Sequence, residues 1–165
     1  MVETLLFRES GAMPNNPALP VLIHRGAVDA SAGDRARALE ERFAANGWPP
    51  RWRNGIYAFH HYHCRGHEVL GIAAGEAEIM LGGEGGRILV VRTGDVLLLP
   101  AGTGHRRLSS SEHFLVIGAY PPGQEGDIQC DAATSAMKKA IAALPCPDKD
   151  PVTGRPLSEY WPLGG

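Results

Sequence analysis

The sequence has no long apolar run, which excludes a membrane-spanning helix. Its longest apolar runs lie around Ile88–Val91, Val96–Leu99 and Phe114–Ile117. Each is far shorter than the roughly 18 residues that cross a bilayer. Met1–Asn16 carries two glutamates and lacks a basic start followed by an apolar stretch. We therefore do not expect it to be a secretory signal. We expect no membrane partner.

The chain also lacks an excess of charge of one sign and a set of paired cysteines. Lys and Arg number 16 against 18 Asp and Glu, which gives a formal net charge of −2. Nucleic acid is therefore not an expected partner, because its backbone requires a basic surface. The three cysteines, Cys64, Cys130 and Cys146, are irregularly spaced, which argues against a disulfide framework or a cysteine zinc site. We expect a cytoplasmic protein.

What the sequence does contain is typical of one all-β domain. A chain of 165 residues fits a single domain. Its 21 Gly and 13 Pro often lie between short apolar runs, which favours strands joined by tight turns. We expect one domain over residues 1–165, with a barrel core at about 52–120. N-terminal strands and a helix occupy 1–51, and a C-terminal helix and Pro-rich tail occupy 121–165.

Short runs punctuated by glycine predict the strands of this barrel. The runs are Thr4–Phe7, Pro20–His24, Trp52–Cys64, Glu68–Ala74, Ala77–Leu81, Arg87–Arg92, Asp95–Leu99 and His113–Tyr120. The glycine-rich stretch Gly82–Gly86 lacks the Lys-Ser/Thr ending of a phosphate-binding loop. We expect it to form the tip of a hairpin.

Two helices are predicted outside the barrel core. The first is capped by Ser31, buries Leu39 and Phe43 on one face, and ends at Asn46-Gly47. The second covers about Asp131–Leu144, with Asp131 as its cap and Pro145 as its stop. The tail that follows is Pro-rich and carries Trp161. Packing of this tail over its own barrel is favoured over a role in a subunit interface.

Histidine spacing predicts a metal site. His61 and His63 are two residues apart, so in one extended strand they project to the same face. After a short turn at Cys64–Gly66, the returning strand brings Glu68 beside them. His105 follows a strand and a Pro/Gly turn, at the start of the next strand. These four side chains supply three imidazoles and one carboxylate to one point.

The spacing of these residues resembles the two motifs of the cupin family. The first motif matches Gly55, His61, His63, Glu68 and Gly75, with five, one, four and six residues between successive positions. The second matches Gly94, Pro100, Gly102 and His105, with five, one and two residues between them. One departure is Ser109, where the second motif often has Asn. The string from His61 to Gly71 also resembles the YjlB-like group of uncharacterised bacterial cupins.

This resemblance covers about residues 52–120 and implies a fold and a ligand set. The fold is a double-stranded β-helix, which is a jelly-roll barrel. The implied metal ligands are His61, His63, Glu68 and His105. Such a mixed nitrogen and oxygen set suits Fe, Mn, Ni, Co, Cu or Zn better than Ca or Mg.

The predicted function is that of a metal-dependent enzyme acting on a small oxygen-rich molecule. Four protein ligands leave two positions of a six-coordinate ion open, which permits oxygenase, isomerase or lyase chemistry. The alternative is a non-catalytic small-molecule binding or sensor protein, because a fold does not fix a function. A thiol dioxygenase is not expected, since Glu68 is present and Cys64 has the wrong strand parity.

Side chains near the predicted ligands in sequence are candidates for contact with a substrate. Tyr57 and Phe59 share the strand parity of His61, so we expect both inside the barrel. Phe59 would then belong to the core, and Tyr57 would offer a catalytic phenol. Arg107 shares the parity of His105 and is a candidate partner for an anionic substrate. A solvated arginine at the barrel rim is the alternative.

Two more histidines flank the predicted ligands. His60 and His67 have the opposite parity to His61 and Glu68, so we expect them to face outward or to support the ligands from behind. We also expect a homodimer, because small barrels pair through strands at their edges. The N-terminal strands and the tail with Trp161 would supply its surface.

Overall fold

The chain folds into two antiparallel sheets. The computed structural model describes residues 2–29 and 31–162. Its strands are β1 Val2–Leu5, β2 Val21–His24, β3 Pro50–Asn54, β4 Glu68–Ala74, β5 Glu76–Leu81, β6 Arg87–Arg92, β7 Val96–Leu99, β8 His105–Ser110 and β9 Leu115–Ala119. One sheet has the order β1-β2-β7-β4-β9-β3, and the other has the order β6-β5-β8. The architecture is mostly β, as expected, and the N-terminal strands extend the larger sheet.

The central strands of the larger sheet, β2, β7 and β4, are buried on both faces. Along β7, Leu97 and Leu99 pack in the cluster between the two sheets, whereas Val96 and Leu98 pack in a second cluster on the outer face. Side chains alternate between the faces of a strand, so a strand covered on both sides is a continuous apolar run. The same alternation turns Glu68 toward the space between the sheets, on the side of Leu70.

Helix α1, Arg35–Ala45, covers the outer face of the larger sheet. Leu39 and Phe43 are buried there, as predicted, and a Cβ at Gly71 would lie 2.9 Å from the Phe43 ring. The predicted cap was wrong. Asp34 is the N-cap, and its carboxylate accepts the Arg37 N–H at 3.0 Å. Ser31 instead donates its hydroxyl to Asp29 at 2.8 Å.

Helix α2, Ser135–Ala143, also begins later than predicted. Thr134 is its N-cap and accepts the Met137 N–H at 3.1 Å. Asp131 does not cap it, because it lies three residues before Thr134. The Asp131 carbonyl instead accepts the Tyr62 hydroxyl at 2.5 Å. Only one residue of α2, Ile141, is buried.

The C-terminal tail packs against its own chain. Trp161 is fully buried in the outer cluster, and its indole N–H donates to the Pro20 carbonyl at 2.8 Å. A buried pair, His24 Nε2 and Asp150 Oδ2 at 2.9 Å, joins β2 to the tail. The indole ring of Trp161 therefore does not form exposed dimer surface.

The predicted strand over Trp52–Cys64 does not form as one element. β3 ends at Asn54 after pairing with β9 in the larger sheet. The chain then crosses to the smaller sheet, where His61 makes an isolated bridge to His105. A single strand cannot pair continuously with both sheets, which is the reason for the break. The glycine-rich stretch 82–86 joins β5 to β6, as predicted for a hairpin.

In the part of the chain that the structure describes, neither helix has the length and apolar character needed to span a bilayer.

Candidate metal centre

The backbone fixes three histidines around one point. His61 and His105 exchange two backbone hydrogen bonds, at 3.2 and 2.9 Å. The carbonyl of His63 accepts the Gly102 N–H at 2.8 Å, which ties it to the turn before β8. The predicted ligands thus come together although their segment is irregular rather than a strand.

The imidazoles of His61, His63 and His105 converge. Among the described residues, these three are the group whose ligand atoms all lie within 4.8 Å of one another, and all three are buried. The Nδ1–H of His61 donates to the Phe59 carbonyl at 3.0 Å, and that of His105 donates to the Thr103 carbonyl at 2.9 Å. A carbonyl oxygen only accepts, so these bonds fix the proton on Nδ1 and leave Nε2 to face the centre.

Asp127 orients the third imidazole. Its carbonyl accepts the Nδ1–H of His63. Its carboxylate in turn accepts the backbone N–H groups of Cys64 at 3.0 Å and Arg65 at 2.8 Å. The loop after β9 is thereby fastened to the segment that carries His63.

Glu68 lies beside two of the imidazoles. Its Oε1 is 3.2 Å from His63 Nε2 and 3.4 Å from His105 Nε2. Its Oε2 accepts the Tyr120 hydroxyl at 2.7 Å, and the Tyr120 oxygen accepts the Trp52 indole N–H at 2.9 Å. The carboxylate is therefore held on both oxygens in a buried position.

Burial and neighbouring charges set the protonation of the cluster. Burial, together with the nearby His105, lowers the pKa of His61 to about 3. Burial also disfavours charge on His63, but the Glu68 carboxylate outweighs it and raises the pKa of His63 to about 9. Burial likewise opposes ionisation of Glu68, yet His63 and His105 hold the pKa of that carboxyl well below its usual 4.5. Glu68 is thus ionised at neutral pH.

A cavity of about 710 Å³ opens onto the cluster. Its volume lies within the ~300–1,000 Å³ usual for small-molecule sites. Polar and apolar residues both line it, including Arg51, Trp52, Ile56, Leu70, Arg107, Phe114, Tyr120 and Ile128 together with the four predicted ligands. The space suits a small molecule with polar and apolar parts.

Tyr57 lies at the cavity wall but not in the barrel interior. Its ring is stacked on Phe59 at 4.9 Å between centroids and meets the edge of His61 at 5.3 Å. Tyr57 is 49% exposed and Phe59 is 45% exposed. The prediction that Phe59 belongs to the core was wrong, because this segment leaves the strand ladder and its parity no longer holds.

The flanking histidines lie outside the cluster. His60 Nε2 pairs with Glu84 at 3.0 Å on the β5–β6 hairpin. His67 is fully buried against Trp161, and its Nδ1 accepts the Ala101 N–H at 2.9 Å. It therefore supports the turn that precedes His105. Cys64 is also absent from the cluster, and burial raises the pKa of its thiol to about 11.

Sequence reasoning missed two residues of the centre, Tyr120 and Asp127. β9 pairs Gly118 with Leu70, which places Tyr120 opposite Glu68 two residues further along. That register is not readable without the pairing partner. Asp127 acts from a loop 64 residues after His63, and no periodicity signals such a contact.

Two antiparallel sheets with a buried histidine cluster at two cupin-like motifs define a cupin-like protein. A scan against models of known protein families finds no match. The chain is 36% identical over 164 residues to the uncharacterised protein YjlB of Bacillus subtilis (strain 168), and the alignment covers 96% of each chain. The chain belongs to the YjlB family.

Similar solved structures include two proteins described by fold or family alone. A protein with a double-stranded β-helix domain from Klebsiella pneumoniae is 14% identical, with a TM-score of 0.37 and coverage of 81% of this chain and 80% of that one. A DUF861 family protein from Thermotoga maritima is 19% identical, with a TM-score of 0.33 and coverage of 52% and 92%.

An oxalate decarboxylase from Bacillus subtilis is a further similar structure. It is 15% identical, with a TM-score of 0.37, and the match covers 82% of this chain and 32% of that one.

Proposed function

We propose that the cluster holds one divalent transition-metal ion. The residues proposed to hold it are His61, His63, Glu68 and His105. The observation that carries the proposal is the convergence of three buried imidazoles within 4.8 Å of one another. Backbone carbonyls fix their Nδ1 atoms, as is usual for metal-binding histidines. The donor set of three nitrogens and a carboxylate fits Fe, Mn, Ni, Co, Cu or Zn.

The proposed activity is that of a metal-dependent enzyme of the oxygenase, isomerase or lyase type. Its substrate would be a small oxygen-rich molecule bound in the cavity of about 710 Å³. The proposed fold is the jelly-roll barrel, in which the two sheets form the two halves around this cavity. A bound ion of this kind supplies Lewis-acid polarisation or redox chemistry.

The chain's own groups would position the substrate and hold protons. Tyr120 keeps its proton on the phenol oxygen toward Glu68 Oε2, because burial and the neighbouring carboxylate raise its pKa above the usual value of 10.0. Tyr57 at the cavity wall is proposed as a phenol donor to the bound molecule. The apolar walls limit access of water to the reacting atoms.

Elemental analysis of protein purified without a nickel column tests the metal site. We expect about one transition-metal ion per chain in the unmodified protein, and its loss in a Glu68→Ala/His105→Ala variant. His61→Ala should also lower the metal content while leaving the barrel folded. His113→Ala is the matched control, because His113 is exposed and lies outside the cluster.

Absence of metal from the unmodified protein, even after reconstitution with each of the six ions, would contradict the proposed centre. The identity of a bound ion selects the next assay. Iron leads to measurements of oxygen consumption, whereas manganese, nickel or zinc leads to isomerase and lyase substrates. Tight small-molecule binding without turnover would identify the non-catalytic sensor instead.

A further inference from the structure

Arg107 projects into the same cavity as His105. β8 pairs with β5 so that His105 is opposite Leu81 and Arg107 is opposite Ile79. Leu81 and Ile79 both belong to the cluster between the sheets, so their partners on β8 face inward as well. Two residues along a strand span about 6.6 Å, which places the Arg107 side chain beside the histidine cluster on the cavity wall.

The guanidinium of Arg107 is held in place but lacks a counter-ion. Its Nε donates to the Ile56 carbonyl at 3.1 Å, and its Nη1 donates to the Ser110 hydroxyl at 3.2 Å. Both partners are neutral. Within residues 2–29 and 31–162, no carboxylate oxygen lies within 4.0 Å of a guanidinium nitrogen of Arg107, the distance that defines an ion pair.

Three carboxylates line the cavity, and none of them forms an ion pair with Arg107. Glu68 is engaged with two histidines and Tyr120, Glu125 pairs with Arg65 at 2.9 Å, and Glu112 forms no ion pair with a described residue. A second wall cation, Arg51, lies 6.0 Å from the centre of the Tyr120 ring. A half-buried guanidinium fixed by neutral groups, with donors to spare, is suited to binding an oxyanion.

We propose that Arg107 binds a carboxylate group of the substrate, so that the cavity takes a small organic acid. This inference rests on the proposed function, because the proposed metal ion is the second group that would bind the organic acid. Nη2 of Arg107 makes no hydrogen bond to a described residue and is free to donate to the incoming carboxylate. The neighbouring apolar walls, including Ile56 and Phe114, would contact its carbon chain.

Calorimetric titration with malonate, succinate and glutarate tests this assignment, with malonamide, succinamide and glutaramide as uncharged counterparts. We expect at least one acid to bind the unmodified protein about tenfold or more tightly than its amide. Arg107→Gln should weaken binding of that acid by about 10- to 100-fold and remove the preference for acid over amide. Arg107→Lys should recover part of the affinity, because it keeps the charge but not the planar fork.

Arg87→Gln is the control, since it removes the same charge from an exposed position on β6 outside the cavity. Metal content is measured on every preparation, which separates the two proposals. Loss of acid binding in Arg107→Gln at full metal occupancy supports the inference. Equal affinities of the unmodified protein and Arg107→Gln overturn it and leave the metal centre intact.

Three further outcomes are decisive. The protein could take up no metal and still bind an acid more tightly than its amide in a way that depends on Arg107. That result would support the anion site and contradict the metal centre. Failure of all three acids to bind the unmodified protein at about 10 mM overturns the inference. If Arg107→Gln does not fold, the affinities for each acid and its amide are compared in the unmodified protein and in Arg107→Lys. Equal affinities for acid and amide in both proteins would overturn the inference.

Discussion

Tyr120 joins a buried indole to a buried carboxylate through one hydroxyl. It donates to Glu68 Oε2 at 2.7 Å and accepts from Trp52 Nε1 at 2.9 Å. A Cβ added at Gly118 would overlap the Trp52 ring, and one added at Gly126 would overlap the Tyr120 hydroxyl. Glycine at both positions therefore leaves the space that this chain of hydrogen bonds occupies.

Tyr120→Phe removes the hydroxyl and leaves both of its partners without that bond. We expect the free energy of unfolding to fall by about 1–3 kcal/mol, the cost of an unsatisfied buried group. Metal affinity should fall by about 10- to 100-fold, as for other losses of a group that orients a ligand. Chemical denaturation and metal titration measure the two effects.

Tyr57→Phe is the stability comparison for that variant. The Tyr57 hydroxyl makes no hydrogen bond to a described residue, and the side chain is 49% exposed. We expect its unfolding midpoint to match that of the unmodified protein. An equal loss of stability in both variants would show that the contact between Tyr120 and Glu68 contributes nothing specific.

At the scale of elements, the contact between β2 and the tail depends on Asp150. Its Oδ2 lies 2.9 Å from His24 Nε2, and its Oδ1 accepts the Val152 N–H at 2.7 Å. Burial opposes ionisation of Asp150, but these hydrogen bonds outweigh it and hold the pKa of the carboxyl below its usual 3.8. The tail is thus fastened by a group whose ionised form is favoured in the folded state.

Asp150→Asn should remove a pH-dependent part of the stability. A carboxyl whose pKa is lowered by folding stabilises the protein above its unfolded pKa of about 3.8, and this contribution disappears as the pH falls through the folded pKa. At neutral pH we expect the variant to be less stable by about 2 kcal/mol. The difference should shrink below about pH 4, and urea unfolding at several pH values measures it. A difference that is constant with pH would show that the charge of Asp150 is not responsible.

At the scale of the whole molecule, metal binding should be coupled to stability. The proposed ligands come from the segment after β3, from β4 and from β8, so an ion would connect both sheets. An ion bound only by the folded state stabilises it by about 2.7 kcal/mol at 100 times its dissociation constant. We expect the chelator-treated protein to gain thermal stability when the ion is restored, with no gain in Glu68→Ala/His105→Ala. A similar gain in that variant would place the binding elsewhere.

The homodimer stays a prediction, and its surface needs revision because Trp161 is buried within its own chain. Light scattering coupled to gel filtration measures it, and a mass near 35 kDa, about twice the 17.6 kDa of one chain, is the expected result. A mass near that of one chain would contradict the prediction. The cytoplasmic location also stays a prediction.

The sequence by itself determined the periodic parts of this protein. Strand-sized apolar runs predicted β4 and β6 with the bounds observed, because local alternation and glycine turns fix short strands. The spacing of His61, His63, Glu68 and His105 predicted one cluster. The structure brings the three imidazoles together with Glu68 beside two of them, although His61 and His63 lie on an irregular segment rather than on the predicted strand. The cap of α1 was misplaced because Ser31 and Asp34 are both good caps, and only contacts choose between them.

Only the tertiary structure decided what surrounds the cluster. Parity placed Phe59 inside, but the crossing from one sheet to the other breaks the ladder and turns its ring outward. Tyr120 and Asp127 reach the centre through pairings over more than 50 residues, a distance that no local periodicity encodes. The neutral partners of Arg107 and the cavity beside it likewise depend on which strands meet. Local sequence thus indicated the proposed ligands, and long-range packing determined how their side chains are held.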